Sequence, residues 1–151
     1  MATTRGAAAD RPVARDLLVA PSYEGNSWGS LDLVADPPRA TDLATAVGAD
    51  AIRQALLLRL LTPVGALADL GHPNYGSRLY ELLGELHTPA ARDLARAFTL
   101  RAVLAEPRVE SVLSLEVRRP DQLAQERLEI LLTVQARGVD EPVALGIEVA
   151  E

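Results

Sequence analysis

The chain has 151 residues and a formal net charge of −6, a balance that repels phosphate backbones and argues against nucleic acid as a partner. The length fits a single domain. The residues are 48% hydrophobic but only 3% aromatic, so the core of that domain is expected to be aliphatic. The sequence has no cysteine, which excludes disulfides and thiolate metal sites. It has neither a signal-peptide pattern nor the run of about 20 apolar residues that spans a membrane. We therefore expect a cytoplasmic protein.

Residues 1–16 are rich in Ala, Arg and Thr and lack periodicity, which predicts a flexible N-terminal arm ahead of a single domain over 17–151. Two short strands are predicted at 17–20 and 31–35. The stretch between these strands is dense in Gly, Ser and Asn, which indicates a turn or loop.

That stretch contains Gly25-Asn26-Ser27-Trp28-Gly29, a match to the G-x-S-x-G motif of serine hydrolases. In those enzymes the serine lies on a sharp turn between a strand and a helix, and the start of the helix supports the oxyanion site. The residues after Ser27 instead predict a turn and a strand. We therefore interpret the motif as part of a hairpin or loop, without a nucleophile.

Three helices are predicted in the middle of the chain. The first runs over 51–61 with Asp50 as its N-cap, and its apolar residues cover most of its circumference, which indicates a central, buried helix. The second is short and runs over 78–83, where Ser77 caps its start and Gly84 closes its end.

The third predicted helix starts at Thr88-Pro89, in the usual order of a capping residue followed by proline, and Pro107 ends it. Its buried stripe is predicted to consist of Ala91, Leu94, Ala95, Phe98 and Ala102. Thr99 is predicted to face away from the core. Leu100 and Val103 fall outside the stripe, which indicates a second contact.

In the last third of the chain the hydrophobic period changes from 3.6 to 2, which predicts strands over 109–117, 127–137 and 142–151. They form an antiparallel meander with one face on the helices. The residues predicted on that face are Val109, Leu113, Leu115, Val117, Leu128, Ile130, Leu132, Val134, Val143, Leu145, Ile147 and Val149. The fold class is therefore α+β: helices followed by a three-stranded antiparallel β meander, with a short N-terminal β segment.

Candidate catalytic and metal-binding residues are few. Glu81 and Glu85 are four residues apart, but the end of a short helix is usually a solvated face, whereas a glycosidase needs its two carboxylates in different environments across a cleft. The two histidines, His72 and His87, do not form a metal motif. We therefore expect no catalytic residue, no metal site, no cofactor and no enzymatic activity.

The last strand is a candidate surface for a partner. Because it runs to the end of the sequence, one flank of the meander could be an open edge, whose unpaired N–H and C=O groups can pair with a strand of another chain. Twist, the charges of Glu148 and Glu151, or the N-terminal segment could equally protect that edge. The periodicity leaves both alternatives open.

A second candidate surface is the segment Glu106-Pro107-Arg108, which we call the corner, between the third helix and the meander. Because Glu106 precedes proline its backbone is extended, and residues two apart in an extended segment point to the same side. Glu106 and Arg108 therefore present opposite charges together. They could bind a partner, or they could pair with each other or cap the last carbonyls of the helix. The residues alone favour the structural role.

The order of several short segments along the chain resembles one known family. These segments are Gln54-Ala55-Leu56, Arg59-Leu60, Thr62-Pro63-x-Gly65, Tyr75-Gly76-Ser77-Arg78-Leu79 and Glu106-Pro107-Arg108, and the resemblance extends from Leu31 to the C-terminus. In this order they resemble the baseplate wedge protein that initiates the sheath of contractile phage tails. Relatives of that protein occur in type VI secretion baseplates and in extracellular contractile injection systems.

The resemblance implies a structural protein that joins the wedge subunits of a baseplate to the first sheath ring and initiates sheath assembly. Glu106, Pro107 and Arg108 would contact the wedge subunits, and the strands over 128–137 and Val143–Ala150 would pair with the sheath protein of the first ring. The partner-binding residues of those strands are Leu128, Ile130, Leu132, Val143, Leu145, Ile147 and Val149. Inner tube or hub proteins are further expected partners. The protein would act in the cytoplasm, assembled into a contractile particle.

The alternative function is that of a peptidoglycan hydrolase associated with a tail particle, because proteins of this family have carried a lysozyme-like label. Neither Glu81 nor Glu85 lies in a pattern typical of a muramidase. The resemblance does not cover residues 1–30, and contacts made by 69–74 are not transferred from the family.

Overall fold

The computed structural model describes residues 15–24, 27–35, 43–84, 88–119 and 127–150. These residues form seven strands and two α-helices, and the predicted α+β class is confirmed. In chain order the elements are β1 (Arg15–Leu17), β2 (Val19–Glu24), β3 (Ser27–Leu33), β4 (Thr45–Val47), α1 (Ala49–Leu61), α2 (Pro89–Leu104), β5 (Val109–Arg118), β6 (Arg127–Ala136) and β7 (Val143–Ala150). Two 3₁₀ turns, Ala68–Leu70 and Leu79–Leu82, lie between the helices.

The N-terminal β segment is longer than the sequence predicts. β2 and β3 pair antiparallel, with a register that runs from Val19 opposite Leu33 to Glu24 opposite Ser27, so most of the expected loop is strand. The first two residues of β1, which the prediction assigned to the flexible arm, pair with β4. Residues 1–14 lie outside the described residues, so the arm and the single domain stay predictions.

A buried glutamine ties this N-terminal segment to α1. The side-chain oxygen of Gln54 accepts a hydrogen bond from the N–H of Val19 at 2.8 Å, and its side-chain nitrogen donates one to the carbonyl of Leu17 at 2.7 Å. Both ends of the amide are therefore satisfied, which is what a buried polar group requires. The pair of hydrogen bonds fixes where β1 ends and β2 begins relative to the helix.

The predicted meander is confirmed: the strand order is β5-β6-β7 and both pairs are antiparallel. Side chains of β6 alternate in burial, and the inward set is fully buried or nearly so: Leu128, Ile130, Leu132 and Val134. They share one core cluster with Ile52, Leu56 and Leu60 of α1 and with Ala95, Ala102 and Val103 of α2. Each fully buried aliphatic side chain contributes about 1.5–3 kcal/mol, so this layer of helices on sheet is the main source of stability.

β5 departs from the predicted alternation. Its register against β6 shifts twice, between Val109 and Ser111 and again between Val112 and Ser114. A bulge places one extra residue in a strand and so moves the following side chains to the other face. Leu113, predicted on the core face, is therefore 55% exposed, whereas Val112 packs against the core.

The N-cap residue of α1 differs from the predicted one. The helix begins at Ala49 and its N-cap is Gly48, whose φ of 58° suits glycine. Asp50 is therefore not the N-cap; it lies in the first turn, where its carboxylate pairs with Arg53. The predicted burial around most of the helix is confirmed, and the buried set includes one charged residue, Arg59.

The predicted start of α2 is confirmed, but the prediction of its buried stripe is partly wrong. The Thr88 hydroxyl accepts a hydrogen bond from the N–H of Ala91 at 3.1 Å, and proline follows the cap. Thr99, predicted to face solvent, is 0% exposed, and Leu94, predicted to be buried, is 45% exposed. The small residues around Thr99 on the helix surface let α2 approach the core closely on that side, which leaves the larger leucine outside.

Two short segments, Thr62–Val64 and Gly76–Ser77, are bound together at the base of the loop after α1, and we call this arrangement the clasp. The N–H of Ser77 donates to the carbonyl of Thr62 at 2.8 Å, and the N–H of Val64 donates to the carbonyl of Ser77 at 2.9 Å. The Ser77 hydroxyl also donates to the carbonyl of Leu60 at 2.6 Å. Gly76 adopts a φ of +112°, which a residue with a side chain rarely does.

The second predicted helix is smaller than expected. Residues 78–83 contain only the 3₁₀ turn Leu79–Leu82. The Ser77 hydroxyl accepts a 3.3 Å hydrogen bond from the N–H of Leu79, as a capping serine does, but the clasp holds this serine in a bridge to Pro63. The chain leaves the clasp in too tight a turn to start a full α-helix there.

Candidate protein-interaction site

The corner follows directly from the way α2 ends. The helix stops at Leu104, and the N–H of Glu106 donates to the carbonyl of Val103 at 3.0 Å, which closes the last turn. Pro107 cannot continue a helix, and the N–H of Val109 donates to the carbonyl of Glu106 at 3.0 Å as β5 begins. These backbone bonds hold the three corner residues in one rigid turn between a helix and a strand.

Glu106 is buried, with only 5% of its surface exposed. Its Oε1 accepts a hydrogen bond from Nε of Arg108 at 2.6 Å, and its Oε2 accepts one from Nη2 of Arg59 at 3.3 Å. Glu106 and Arg108 thus pair with each other, which is one of the structural roles considered from the sequence. The negative charge of the corner faces the protein interior, and only Pro107 and part of Arg108 remain at the surface.

Arg59 is the residue of this cluster that sequence reasoning missed. It lies on α1, far from the corner in the sequence, and its side chain is 10% exposed. An available signal was its position near the end of a helix predicted to be buried on most faces, because a charged residue in such a place requires a partner. The carboxylate of Glu106 is that partner.

The charges of the cluster set the ionisation of its acidic groups. Burial alone raises the pKa of the Glu106 carboxyl, but the hydrogen bond and positive charge of Arg108, helped by Arg59, outweigh burial and hold that pKa below its ordinary value. Burial raises the pKa of the Tyr75 phenol, although the charge of Arg59 acts in the opposite direction. Both groups therefore keep their usual forms at neutral pH: Glu106 is ionised and Tyr75 is neutral.

Tyr75 completes the cluster on its outer side. The guanidinium carbon of Arg59 lies 4.4 Å from the centre of the Tyr75 ring, a distance typical of a cation–π contact. An open cavity of about 340 Å³ lies beside this pair, and its wall includes His72, Asn74 and Ala105. The corner is therefore next to a concave surface built by the loop after α1.

The edge of β7 is the second candidate surface. Nε of Arg53 donates to the carbonyl of Ala144 at 3.0 Å, so that carbonyl points away from β6. In an antiparallel strand the N–H and C=O of one residue share a direction and alternate from residue to residue. The backbone groups of Gly146, Glu148 and Ala150 therefore also point outward. No strand within the described ranges pairs with β7 on that side.

The residues predicted to bind the sheath lie on two strands with different surroundings, β6 and β7. β6 is the central strand, with β5 and β7 on its two sides, so its backbone has no open edge, and Leu128, Ile130 and Leu132 are buried in the core. In β7 the side chains of Val143 and Ile147 are buried in the same core. Leu145 and Val149 are partly buried and pack against it. What β7 offers outward is its backbone, and this narrows the predicted strand-pairing surface from two strands to one.

The two candidate surfaces lie at different places on the sheet. The corner adjoins the end where Val109 pairs with Ala136 and where β7 begins at Val143. The open part of β7 runs to Ala150, which pairs with Arg127 at the other end of the sheet. The two surfaces therefore share no residue.

Among the candidate catalytic groups, Ser27 and Glu81 lie within the described residues. Ser27 begins strand β3, so the strand-turn-helix of a nucleophile elbow is absent from 27–33, in agreement with the interpretation as a hairpin. The Glu81 carboxylate accepts two hydrogen bonds from Arg78, at 2.7 and 2.5 Å, and this pairing lowers the pKa of Glu81. Glu85 and His87 lie outside the described residues.

The described part of the chain contains no group of three or more His, Cys, Asp or Glu side chains close enough to bind a metal ion. Neither α1 nor α2, the helices within that part, has the length and apolarity needed to cross a bilayer.

Comparison with known proteins gives a similarity of fold. No protein-family profile matches the chain, and no curated protein matches it in sequence. Among solved structures, the fold is similar to a crystal structure from Geobacter sulfurreducens described as a "putative tail lysozyme". The two chains are 21% identical, the match covers 66% of this chain and 86% of the other, and the TM-score is 0.53. At this identity the similarity establishes the fold.

Proposed function

We propose that the protein is a structural baseplate component of a contractile injection system or phage-like tail, and that it joins the wedge subunits to the first sheath ring and initiates sheath assembly. The observation that carries this proposal is the outer edge of β7, whose backbone groups at Gly146, Glu148 and Ala150 point away from the sheet. The fold similarity to a protein described as tail-associated supports the same setting.

The β7 edge suits the addition of a strand from a sheath subunit. Unpaired backbone groups along an edge bind an extended segment through main-chain hydrogen bonds, with little dependence on side chains. Gly146 has no side chain, so an incoming strand meets little steric obstruction from it, whereas the carbonyl of Ala144 already accepts a hydrogen bond from Arg53 of α1 and is not free for that strand. The only charged residue of β7, Glu148, pairs with Arg127 of the neighbouring strand at 3.0 Å, which reduces its repulsion of a partner.

The corner suits contact with the wedge subunits. Arg108 is 35% exposed, and its hydrogen bond to the buried Glu106 fixes the guanidinium in one position. Pro107 is exposed beside it and has no flexibility in φ. A preordered surface of this kind binds a partner with little loss of conformational entropy.

We also propose that the protein is not an enzyme, and that it acts in the cytoplasm within a contractile particle whose inner tube or hub proteins lie nearby. The general acid of a glycosidase needs a raised pKa so that it stays protonated near neutral pH. Glu81 and Glu106 have the opposite shift, because arginine side chains bind both carboxylates.

The second candidate function is that of a tail-associated peptidoglycan hydrolase, and the observation in its favour is the description of the similar structure as a tail lysozyme. Digestion of purified peptidoglycan by the isolated protein tests it. Release of soluble muropeptides at a rate that depends on protein concentration would favour this second candidate over the structural role.

Sedimentation of a lysate that contains assembled particles tests the structural proposal. The protein carries an affinity tag, and the heavy fraction is analysed by mass spectrometry. We expect the protein in the same fraction as sheath, tube and wedge proteins. A protein found only at the top of the gradient, while sheath and tube proteins are in the heavy fraction, would contradict the proposal.

A further inference from the structure

The cavity beside the corner is lined by an arginine whose hydrogen-bonding capacity is only partly used. A guanidinium group carries five N–H donors. Arg59, whose side chain is 10% exposed, directs Nη2 to Glu106 at 3.3 Å, which is longer than the usual charge-assisted hydrogen bond of about 2.7–2.9 Å. Its Nε is buried and has no hydrogen-bond partner. A buried donor without a partner is rare, and in a native structure it requires an explanation.

The charges of the cluster are also unequal. Arg59 and Arg108 share the single carboxylate of Glu106, so two positive charges face one negative charge. Asp16 is near enough for its charge to raise the pKa of Tyr75, but among the described residues it forms no ion pair with either arginine. The two arginines therefore outnumber the one carboxylate that binds them, beside an open cavity, in a chain whose formal net charge is −6.

The cavity wall next to Arg59 is suited to an anion. His72 and Asn74 of the loop line the cavity, and the Tyr75 ring covers one face of the guanidinium at 4.4 Å. An aromatic ring on one face keeps water away and leaves the edges of the guanidinium as its binding surface. Those edges are the part of an arginine that binds a carboxylate.

We propose that this cavity receives one carboxylate side chain, an aspartate or a glutamate of a protein partner, which binds Arg59 and completes the charge balance of the cluster. The inference rests on the proposed function, because it specifies the chemistry by which a wedge subunit is held at the corner. A carboxylate brings one negative charge, which matches the excess, whereas a phosphate group brings about 1.5 to 2 at neutral pH.

An NMR titration with acetate as the probe tests this site on the full chain. Acetamide has the same shape without the charge and is the control, and ionic strength is held constant with sodium chloride. We expect acetate, but not acetamide, to shift the Arg59 Nε–H signal and the backbone amides of Tyr75 and Asn74 to saturation. Equal shifts with acetate and acetamide, or no saturation, would overturn the proposal.

Two variants distinguish acetate binding at Arg59 from a general effect of positive charge. Arg59→Lys keeps the positive charge next to Glu106 but removes the planar fork, so we expect acetate affinity to fall about fivefold or more while the spectrum stays that of a folded protein. Arg53→Lys, on the same helix but exposed and paired with Asp50, is the matched control and leaves the affinity unchanged. Equal affinities in both variants would contradict the role of Arg59.

Two more ligands identify the source of the carboxylate. The capped peptide acetyl-Ala-Glu-Ala-amide is expected to bind more tightly than acetate, because a protein side chain is presented with its backbone. Peptide binding no tighter than acetate would overturn a protein partner, and tighter binding of inorganic phosphate would overturn the carboxylate. If the protein sediments with sheath proteins but does not bind acetate, this inference fails and the proposed function stands. If it binds acetate but does not sediment with sheath proteins, the baseplate role fails and the carboxylate site stands.

Discussion

Arg59 and Glu106 are 47 residues apart in the chain, and they meet in the interior with Nη2 3.3 Å from Oε2. This contact joins the end of α1 to the end of α2. Because Glu106 also binds Arg108, one buried carboxylate fixes both the packing of the helices and the position of the arginine that the corner presents to solvent. The packing of the fold and the shape of its surface therefore depend on the same side chain.

Removal of Glu106 is expected to cost more stability than removal of Arg108. Glu106→Ala leaves a buried guanidinium without its partner, and breaking a buried pair in this way costs about 3–5 kcal/mol. Arg108→Ala leaves the Glu106 carboxylate bound to Arg59, so we expect the smaller loss of one charge-assisted hydrogen bond, about 1.5–3 kcal/mol. Urea denaturation measures the free energy of unfolding of both variants. Equal losses would mean that Arg59 does not depend on Glu106.

Stability is expected to fall in acid partly through Glu106. Its folded-state pKa lies below the ordinary value of 4.5, so its contribution is fully present above pH 4.5 and is lost as the pH falls through the folded pKa. Glu106→Gln has no charge to lose. The free energy of unfolding, measured between pH 6 and 2, should therefore fall less steeply in the variant below the ordinary glutamate pKa. Parallel curves would contradict this role of Glu106.

A side chain at Gly76 is expected to disrupt the clasp. A Cβ there would collide with the carbonyl of Thr62 and lie 2.9 Å from the carbonyl oxygen of Pro63, and its φ of +112° disfavours any other residue. We expect Gly76→Ala to lower the free energy of unfolding by about 3 kcal/mol or more. Gly65→Ala is the control, because Gly65 has a φ of +88° but open space around it, and its cost should be about 1 kcal/mol. Similar losses in both variants would argue against the collision.

Sheath initiation is expected to depend on the backbone N–H of Gly146. Gly146→Pro removes an outward donor without removing a hydrogen bond to β6, and proline is tolerated on an edge strand. Gly146→Ala keeps the donor, and its Cβ would lie at an ordinary 3.4 Å from Leu131. Electron microscopy of particles should find tubes without sheaths for the proline variant and normal sheaths for the alanine variant. Normal sheaths in a folded proline variant would refute strand addition at β7.

Wedge binding is expected to weaken in Arg108→Ala by more than its loss of stability explains. Arg118→Ala is the control, because Arg118 is also an exposed, paired arginine, 2.7 Å from Glu129, at the far end of the sheet. Affinity for the wedge subunits, measured by pull-down at several temperatures below the melting transition, should fall tenfold or more only for Arg108→Ala. Comparable losses for the two variants would leave the corner with a structural role alone.

Hydrophobic periodicity was sufficient to predict the meander and the two helices. β6 follows strict alternation, and each of its predicted core residues from Leu128 to Val134 is buried. The start of α2 was predictable because Thr88 and the following proline form a local signal that needs no tertiary information. Periodicity and this cap signal were therefore sufficient for these elements, whereas the local cap signals at Asp50 and Ser77 were not.

Three of the features that were missed depend on contacts between elements. Leu113 lies outside because two bulges in β5 shift its register, and bulges leave no trace in an alternating pattern. Thr99 is buried because α2 packs on its alanine side, a choice made by the whole core. The partner of Glu106 across the fold is Arg59, which no local spacing connects to the corner. Which charges pair, and which side of a helix packs on the core, can be determined only from the three-dimensional structure.

The clasp makes the loop over 65–75 tolerant of changes in length and sequence. Thr62 and Val64 on one side and Ser77 on the other are bound by backbone hydrogen bonds, so the two ends of the loop stay together whatever the residues between them are. Lengthening a closed loop is cheap, since doubling its length costs only about 0.6 kcal/mol. The same loop supplies His72 and Tyr75 beside the corner. We therefore expect changes between residues 66 and 74 to leave the sheet and both helices as they are and to reshape the concave surface beside the corner.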